Sequence, residues 1–139
     1  MSLPARIAML KVLAALLLIG PGLLMVTAPA TGLGFLTERF LDAAFQPYTG
    51  SQPITGRSAA LLNAILGGIL VGFGAMIWVV AGAVMAADEA LGRRLIAVPL
   101  ACWFVTDSLG SILAGAWMNA VFNAAILSSF AAALFWRRG

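Results

Sequence analysis

Asp107 stands in the run Val98-Pro-Leu-Ala-Cys-Trp-Phe-Val-Thr-Asp-Ser-Leu-Gly-Ser-Ile-Leu-Ala-Gly-Ala-Trp117, where every other side chain is neutral and most are apolar. The run is long enough to cross a bilayer, and there an ionisable side chain is costly unless it is neutral, paired or wet. Two chemistries are open to such a group. A neutral carboxyl would donate to an amide or a backbone carbonyl and fix helix register. A carboxyl in a water-filled crevice would serve as a proton or cation site. Amides are at hand: Asn119 and Asn123 repeat at i, i+4 in the next apolar segment, and Ser111 stands one turn beyond Asp107. Asn63 enters a further apolar segment at a comparable depth if that segment packs alongside. The expected intramembrane polar cluster is Asp107, Asn123, Asn119, Ser111 and Asn63.

Other chemistry is removed by what the chain lacks. It has no histidine, so imidazole ligation of haem, zinc or copper and histidine acid–base catalysis are excluded. The one cysteine, Cys102, cannot form an intrachain disulfide. Lys11, the sole lysine, follows Leu10, so no phosphate-binding GxxxxGK[ST] loop exists. CxxC, HExxH and GxSxG are absent too. Asp88 and Glu89 are adjacent and read as solvated loop charges. The expectation is a non-enzymatic chain with no catalytic residue, no metal and no cofactor.

The elements that position the polar residues follow from composition. Of the 139 residues, 63% are hydrophobic and 9% charged, against roughly 45–50% and about 25% in soluble domains. So few charges cannot cover a soluble surface. The fold class expected is an all-α membrane protein, a four-transmembrane-helix bundle in a single domain. Its spans fall at about 7–26, 59–86, 95–115 and 118–136. Pro21 leaves the Leu17 carbonyl without its helical donor and predicts a kink. A secretory leader ending at Ala28-Pro29-Ala30 is a rival reading of the first segment.

Residues 28–58 read as a turn-rich extracytoplasmic loop, rich in proline and glycine. Within it, 35–45 forms a short amphipathic helix, with Leu36, Phe40, Leu41, Ala43 and Ala44 on one side and Glu38, Arg39 and Asp42 on the other. Such a helix lies in the membrane interface or caps the bundle end.

Spans three and four meet at a tight turn near Gly115, so they run antiparallel. Asp107 and Asn123 then each lie about eight residues, or roughly 12 Å, from that turn. Gly68 and Gly72 form a GxxxG element for close helix packing, and Gly110 and Gly115 continue the stripe of Asp107 and Ser111. Arg93, Arg94, Trp117, Trp136, Arg137 and Arg138 read as interface anchors. With four spans, Arg6, Lys11, Arg93, Arg94, Arg137 and Arg138 share one side, and Arg39 and Arg57 the other. This places both termini in the cytoplasm. The basic residues are scattered at span edges and imply neither nucleic acid nor nucleotide binding.

Gly67-Gly-Ile-Leu-Val-Gly-Phe-Gly74 and Trp103-Phe-Val-Thr-Asp-Ser-Leu-Gly-Ser-Ile-Leu-Ala-Gly115, followed by Asn119 and Asn123, resemble a family of short bacterial four-helix inner-membrane proteins, and more distantly the DUF4345-like proteins. The likeness covers about residues 60–125. DUF4345-like chains carry an arginine before the glycine stretch and another in the third span. Here Asn63 stands near the first place and no arginine at the second. The resemblance implies a bacterial inner membrane location and no activity.

The function expected is that of an accessory or assembly subunit, packing in membrane lipid against itself as a homo-oligomer or against a larger membrane complex. Alternatives are a small proton- or solute-coupled carrier using Asp107, and a lipid- or quinone-binding protein using Trp103 and Phe104.

Overall fold

The computed structural model describes residues 1–47 and 52–136. Among them the chain forms five helices and no strand. Helix α1 begins with Leu3–Ala14, passes through a π-helical turn at Ala15–Ile19 and continues as Gly20–Thr31. Helix α2 is Gly34–Ala44. Helix α3 runs through Arg57–Val79, a second π-helical turn at Val80–Val84, and Met85–Ala87. Helices α4 and α5 are Glu89–Leu113 and Trp117–Phe135. The four long helices, α1, α3, α4 and α5, are each long and apolar enough to cross a membrane. The architecture is an all-α four-helix bundle with one short helix at an end.

Local chemistry accounts for the boundaries. Ser2 caps α1, accepting from the Ala5 N–H at 3.4 Å, and Pro4 occupies the first turn, where a missing N–H costs nothing. The helix therefore starts before residue 7. At the kink expected from Pro21, the backbone widens into the π turn, and the Gly20 N–H bonds the Ala15 carbonyl. Helix α1 also continues past Pro29 to Thr31, ending at Gly32 with φ 69°. The expected 28–58 loop is thereby shortened at its start.

The interval left between the expected second and third spans, residues 87–94, shrinks to one non-helical residue, Asp88. Its carboxylate caps α4 by accepting from the Leu91 N–H at 3.0 Å, so Glu89, Arg93 and Arg94 are helical. Gly92 permits this tight reversal, since a Cβ there would lie 2.5 Å from Met85 Cα.

The core is made by Leu10, Ala14 and Leu18 of α1, Ile77, Ala81 and Met85 of α3, Ile96 and Leu100 of α4, and Phe130, Ala133 and Leu134 of α5. It lies in the half of the bundle nearest the N-terminus and the Asp88 turn. Toward the other end packing is pairwise: Gly20–Thr31 lies against Arg57–Val79, and α4 against α5. Helix α2 bridges the pairs, touching both Gly20–Thr31 and α5. Large apolar side chains such as Leu16, Ile69, Val105 and Leu113 face outward from all sides. A bundle apolar both inside and outside suits hydrocarbon better than water.

Glycines set the closest approach, but not the ones the sequence pattern singled out. A Cβ on Gly22 would lie 2.6 Å from the Gly67 carbonyl oxygen, and one on Gly67 equally close to the Gly22 oxygen. A Cβ on Gly74, two turns on from Gly67, would lie 2.6 Å from the Ile19 side chain at Cγ1. Gly68 and Gly72 have no atom within 4 Å of such a position and are exposed. A one-residue step turns an α-helix by about 100°, enough to move the GxxxG face away from α1.

Candidate binding site at Asp107

Helices α4 and α5 are joined by a turn whose geometry falls to Gly115. It has φ 82°, its N–H bonds the Ile112 carbonyl at 3.0 Å, and the Ala116 N–H bonds that of Ser111 at 2.8 Å. Gly115 is thus a helix-ending residue in the left-handed region, not a packing glycine. The turn brings the start of α5 beside the end of α4, which puts Asn119 and Asn123 level with Ser111 and Asp107.

The side chains meet as a connected network. Asn123 Nδ2 donates to Asp107 Oδ2 at 2.6 Å and to Ser108 Oγ at 3.2 Å. Asn119 Nδ2 donates to Ser111 Oγ at 2.8 Å and to Asp107 Oδ2 at 3.3 Å. One oxygen of Asp107, Oδ2, accepts from both amides. Asn123 and Ser108 are buried, while Asp107, Ser111 and Asn119 are half-buried.

Ser108 was not among the expected cluster residues. The stripe drawn through Asp107, Gly110 and Ser111 points slightly away from α5, and Ser108 lies about 100° round toward it. The Asp-Ser pair itself was the available signal.

Asn63 does not join the cluster. Its Nδ2 donates to the Met25 carbonyl of α1 at 3.0 Å. The residue four positions after Met25 is Pro29, which has no N–H, so that carbonyl lacks its helical donor and Asn63 supplies one. Helix α3 packs on α1 at this level rather than on α4 and α5.

Beside Asp107 a cleft of ≈ 340 Å³ opens between α2 and the end of α4. Phe40, Leu41, Ala44 and Phe45 form one wall; Thr106, Asp107, Gly110, Ser111 and Ala114 form the other, closed by Ala116 and Asn119. Gly110 has no atom within 4 Å of a Cβ position because it fronts this cleft, not a helix. The Phe40 ring lies 5.8 Å from that of Phe122, which seats α2 on α5.

Both readings of α2 find support in its contacts. Phe35, Leu36 and Phe40 are exposed, as in an interfacial helix, yet the helix also covers the bundle end. Its acids do not simply face water. Asp42 Oδ1 accepts from the Gln52 N–H at 2.6 Å and Glu38 Oε1 from the Ile54 N–H at 3.3 Å, tying down the returning chain.

At the opposite end Arg6 is buried and turned inward. Its Nε donates to the Ala133 carbonyl at 3.1 Å, Nη2 to the Leu134 carbonyl, and Nη1 to Glu89 Oε1 at 2.6 Å. A guanidinium suits the free carbonyls at a helix C-terminus, where the dipole favours a cation. Lys11, the other basic residue of α1, places Nζ 5.4 Å from the Trp78 ring centroid.

Of the expected anchors, Arg93 lies 3.7 Å from Glu89, and Arg94, Trp117 and Trp136 are exposed near helix ends. Arg137 and Arg138 lie outside the described residues. Among the described residues no group of three or more Cys, Asp or Glu side chains is placed to hold a metal ion. No protein-family model, no curated protein and no solved structure matches the chain.

Proposed function

We propose that this chain is a small, non-enzymatic, multi-pass membrane protein that acts by packing, as an accessory or assembly subunit, against a second copy or a larger membrane complex. The observation that carries the proposal is the division of its glycines. Gly22, Gly67 and Gly74 are consumed in contacts between α1 and α3, whereas Gly68 and Gly72 face outward with nothing near them. On the same exterior stand Leu61, Leu62, Ile65, Leu66 and Ile69. Small residues between large ones make a groove that admits another helix closely, which is how helices associate in lipid.

The proposed setting is a bacterial inner membrane with both termini cytoplasmic. Supporting this, the N-terminus, the Asp88 turn and the end of α5 lie at one end of the bundle, and among the described residues that half carries Arg6, Lys11, Arg93 and Arg94 against Arg39 and Arg57 in the other.

The test is extraction in a gentle detergent followed by native mass measurement. The expected species is an oligomer or a complex with a co-purifying membrane protein, and Gly68→Leu with Gly72→Leu releases it to monomer. A strictly monomeric, partnerless wild-type chain overturns the proposal.

A further inference from the structure

We propose that the cleft beside Asp107 binds an ammonium group carried on an apolar body. The inference is independent of the packing role. Its basis is the direction in which the cluster spends its hydrogens. An amide nitrogen has two N–H donors, and both Asn119 and Asn123 use theirs within the cluster, on Asp107, Ser108 and Ser111. The Thr106 hydroxyl donates to the carbonyls of Cys102 and Trp103. The polar wall of the cleft is therefore left with one uncommitted donor, the Ser111 hydroxyl, which accepts from Asn119, and with acceptors, chief among them the second oxygen of Asp107. Among the described residues no donor reaches that oxygen, and no arginine or lysine forms an ion pair with Asp107.

The facing wall supplies the complement. Phe40 and Phe45 line it, and aromatic rings attract cations. A carboxylate opposite two rings fits a group that is positively charged and rich in N–H. An anion would find a single hydroxyl donor, Ser111, beside a carboxylate that repels it, and a neutral hydroxyl would gain nothing from the rings. A metal ion would meet a single carboxylate, too few oxygen ligands for a hard cation. Leu41, Ala44 and Ala114 provide apolar surface for the stem that carries the nitrogen. The volume of ≈ 340 Å³ falls at the small end of ligand sites, about 300–1,000 Å³.

Two sources share this chemistry: the headgroup of an aminophospholipid and a free hydrophobic amine. The experiment titrates the purified full chain in detergent with dodecylamine, dodecanol, phosphatidylethanolamine and ethylammonium, counting bound molecules by native mass spectrometry. The wild type is expected to hold one dodecylamine at least tenfold more tightly than dodecanol. Asp107→Asn removes that preference. Gly110→Leu fills the cleft without replacing a polar residue, and is expected to weaken dodecylamine binding at least tenfold without lowering the melting temperature. Retention of phosphatidylethanolamine identifies the lipid headgroup as the source; displacement of dodecylamine by ethylammonium identifies a free amine. Equal affinity for amine and alcohol, or unchanged amine binding in Gly110→Leu, overturns the inference.

Discussion

Asn63 repairs a break in a neighbouring helix: its side-chain amide donates to the Met25 carbonyl at 3.0 Å, the acceptor orphaned by Pro29. A proline four residues on from a carbonyl costs a helix one hydrogen bond, and in hydrocarbon no water can replace it. The pair therefore couples a backbone defect in α1 to a polar side chain in α3, at a level where Gly22 and Gly67 already hold the two backbones close.

That coupling is measurable. Asn63→Leu is expected to cost about 0.6 kcal/mol, and no more than roughly 1.7, as for other side-chain hydrogen bonds in lipid. In a Pro29→Ala background residue 29 regains an N–H for Met25, so the same substitution should cost almost nothing. A double-mutant cycle on thermal unfolding checks this, and strict additivity would contradict it.

The Arg6 fork predicts a different asymmetry. Arg6→Met removes the donors to the Ala133 and Leu134 carbonyls and is expected to cost about 1–3 kcal/mol, typical of hydrogen bonds from a charged group. Arg6→Lys should recover only part of this, because an ammonium cannot reproduce the planar fork. Glu89→Gln should have the smallest effect, since Glu89 is partly exposed and keeps a hydrogen-bonding oxygen. Melting temperatures in detergent rank the three.

Adjacent glycines should respond in opposite ways. Gly67→Leu forces a Cβ against the Gly22 carbonyl and is expected to lose at least the ~1–3 kcal/mol of an overpacked site. Gly68→Leu meets open space and should leave the monomer as stable as before, or more so. Unfolding of both variants under one condition separates the internal face from the external one.

A similar contrast holds along α4. Gly115→Ala places a side chain at φ 82° and is expected to cost about 1–2 kcal/mol of left-handed strain. Gly110→Ala lies inside the helix with free space around it, and is expected to gain up to about 1 kcal/mol from helix propensity. Unfolding midpoints on the two variants give the sign of each.

Much of the architecture was legible in the chain itself. Apolar runs of sufficient length marked all four long helices, because hydrocarbon demands about 20 apolar residues of a span and leaves little room for alternatives. The pairing of Asp107 with Asn123 and of Ser111 with Asn119 was legible for a related reason. A short turn makes neighbouring helices antiparallel, so counting residues from Gly115 gives the depth of each side chain. The burial of Arg6 was not legible. Whether a basic residue near a helix end snorkels or turns inward depends on whether free carbonyls stand within its reach, and those belong to residues 133 and 134.

The amino-acid order by itself determined the number of spans, the turn that aligns α4 with α5, and the absence of histidine, phosphate-loop and paired-cysteine chemistry. Each of these depends on local periodicity or on residue types alone. Only the tertiary structure decided that Gly67 and not Gly68 meets α1, that Asn63 serves Met25 and not Asp107, and that α2 leaves a cleft over Gly110. Those outcomes turn on the rotation and register of one helix against another, set by how whole surfaces interlock, and a step of one residue is enough to change the neighbour a side chain meets.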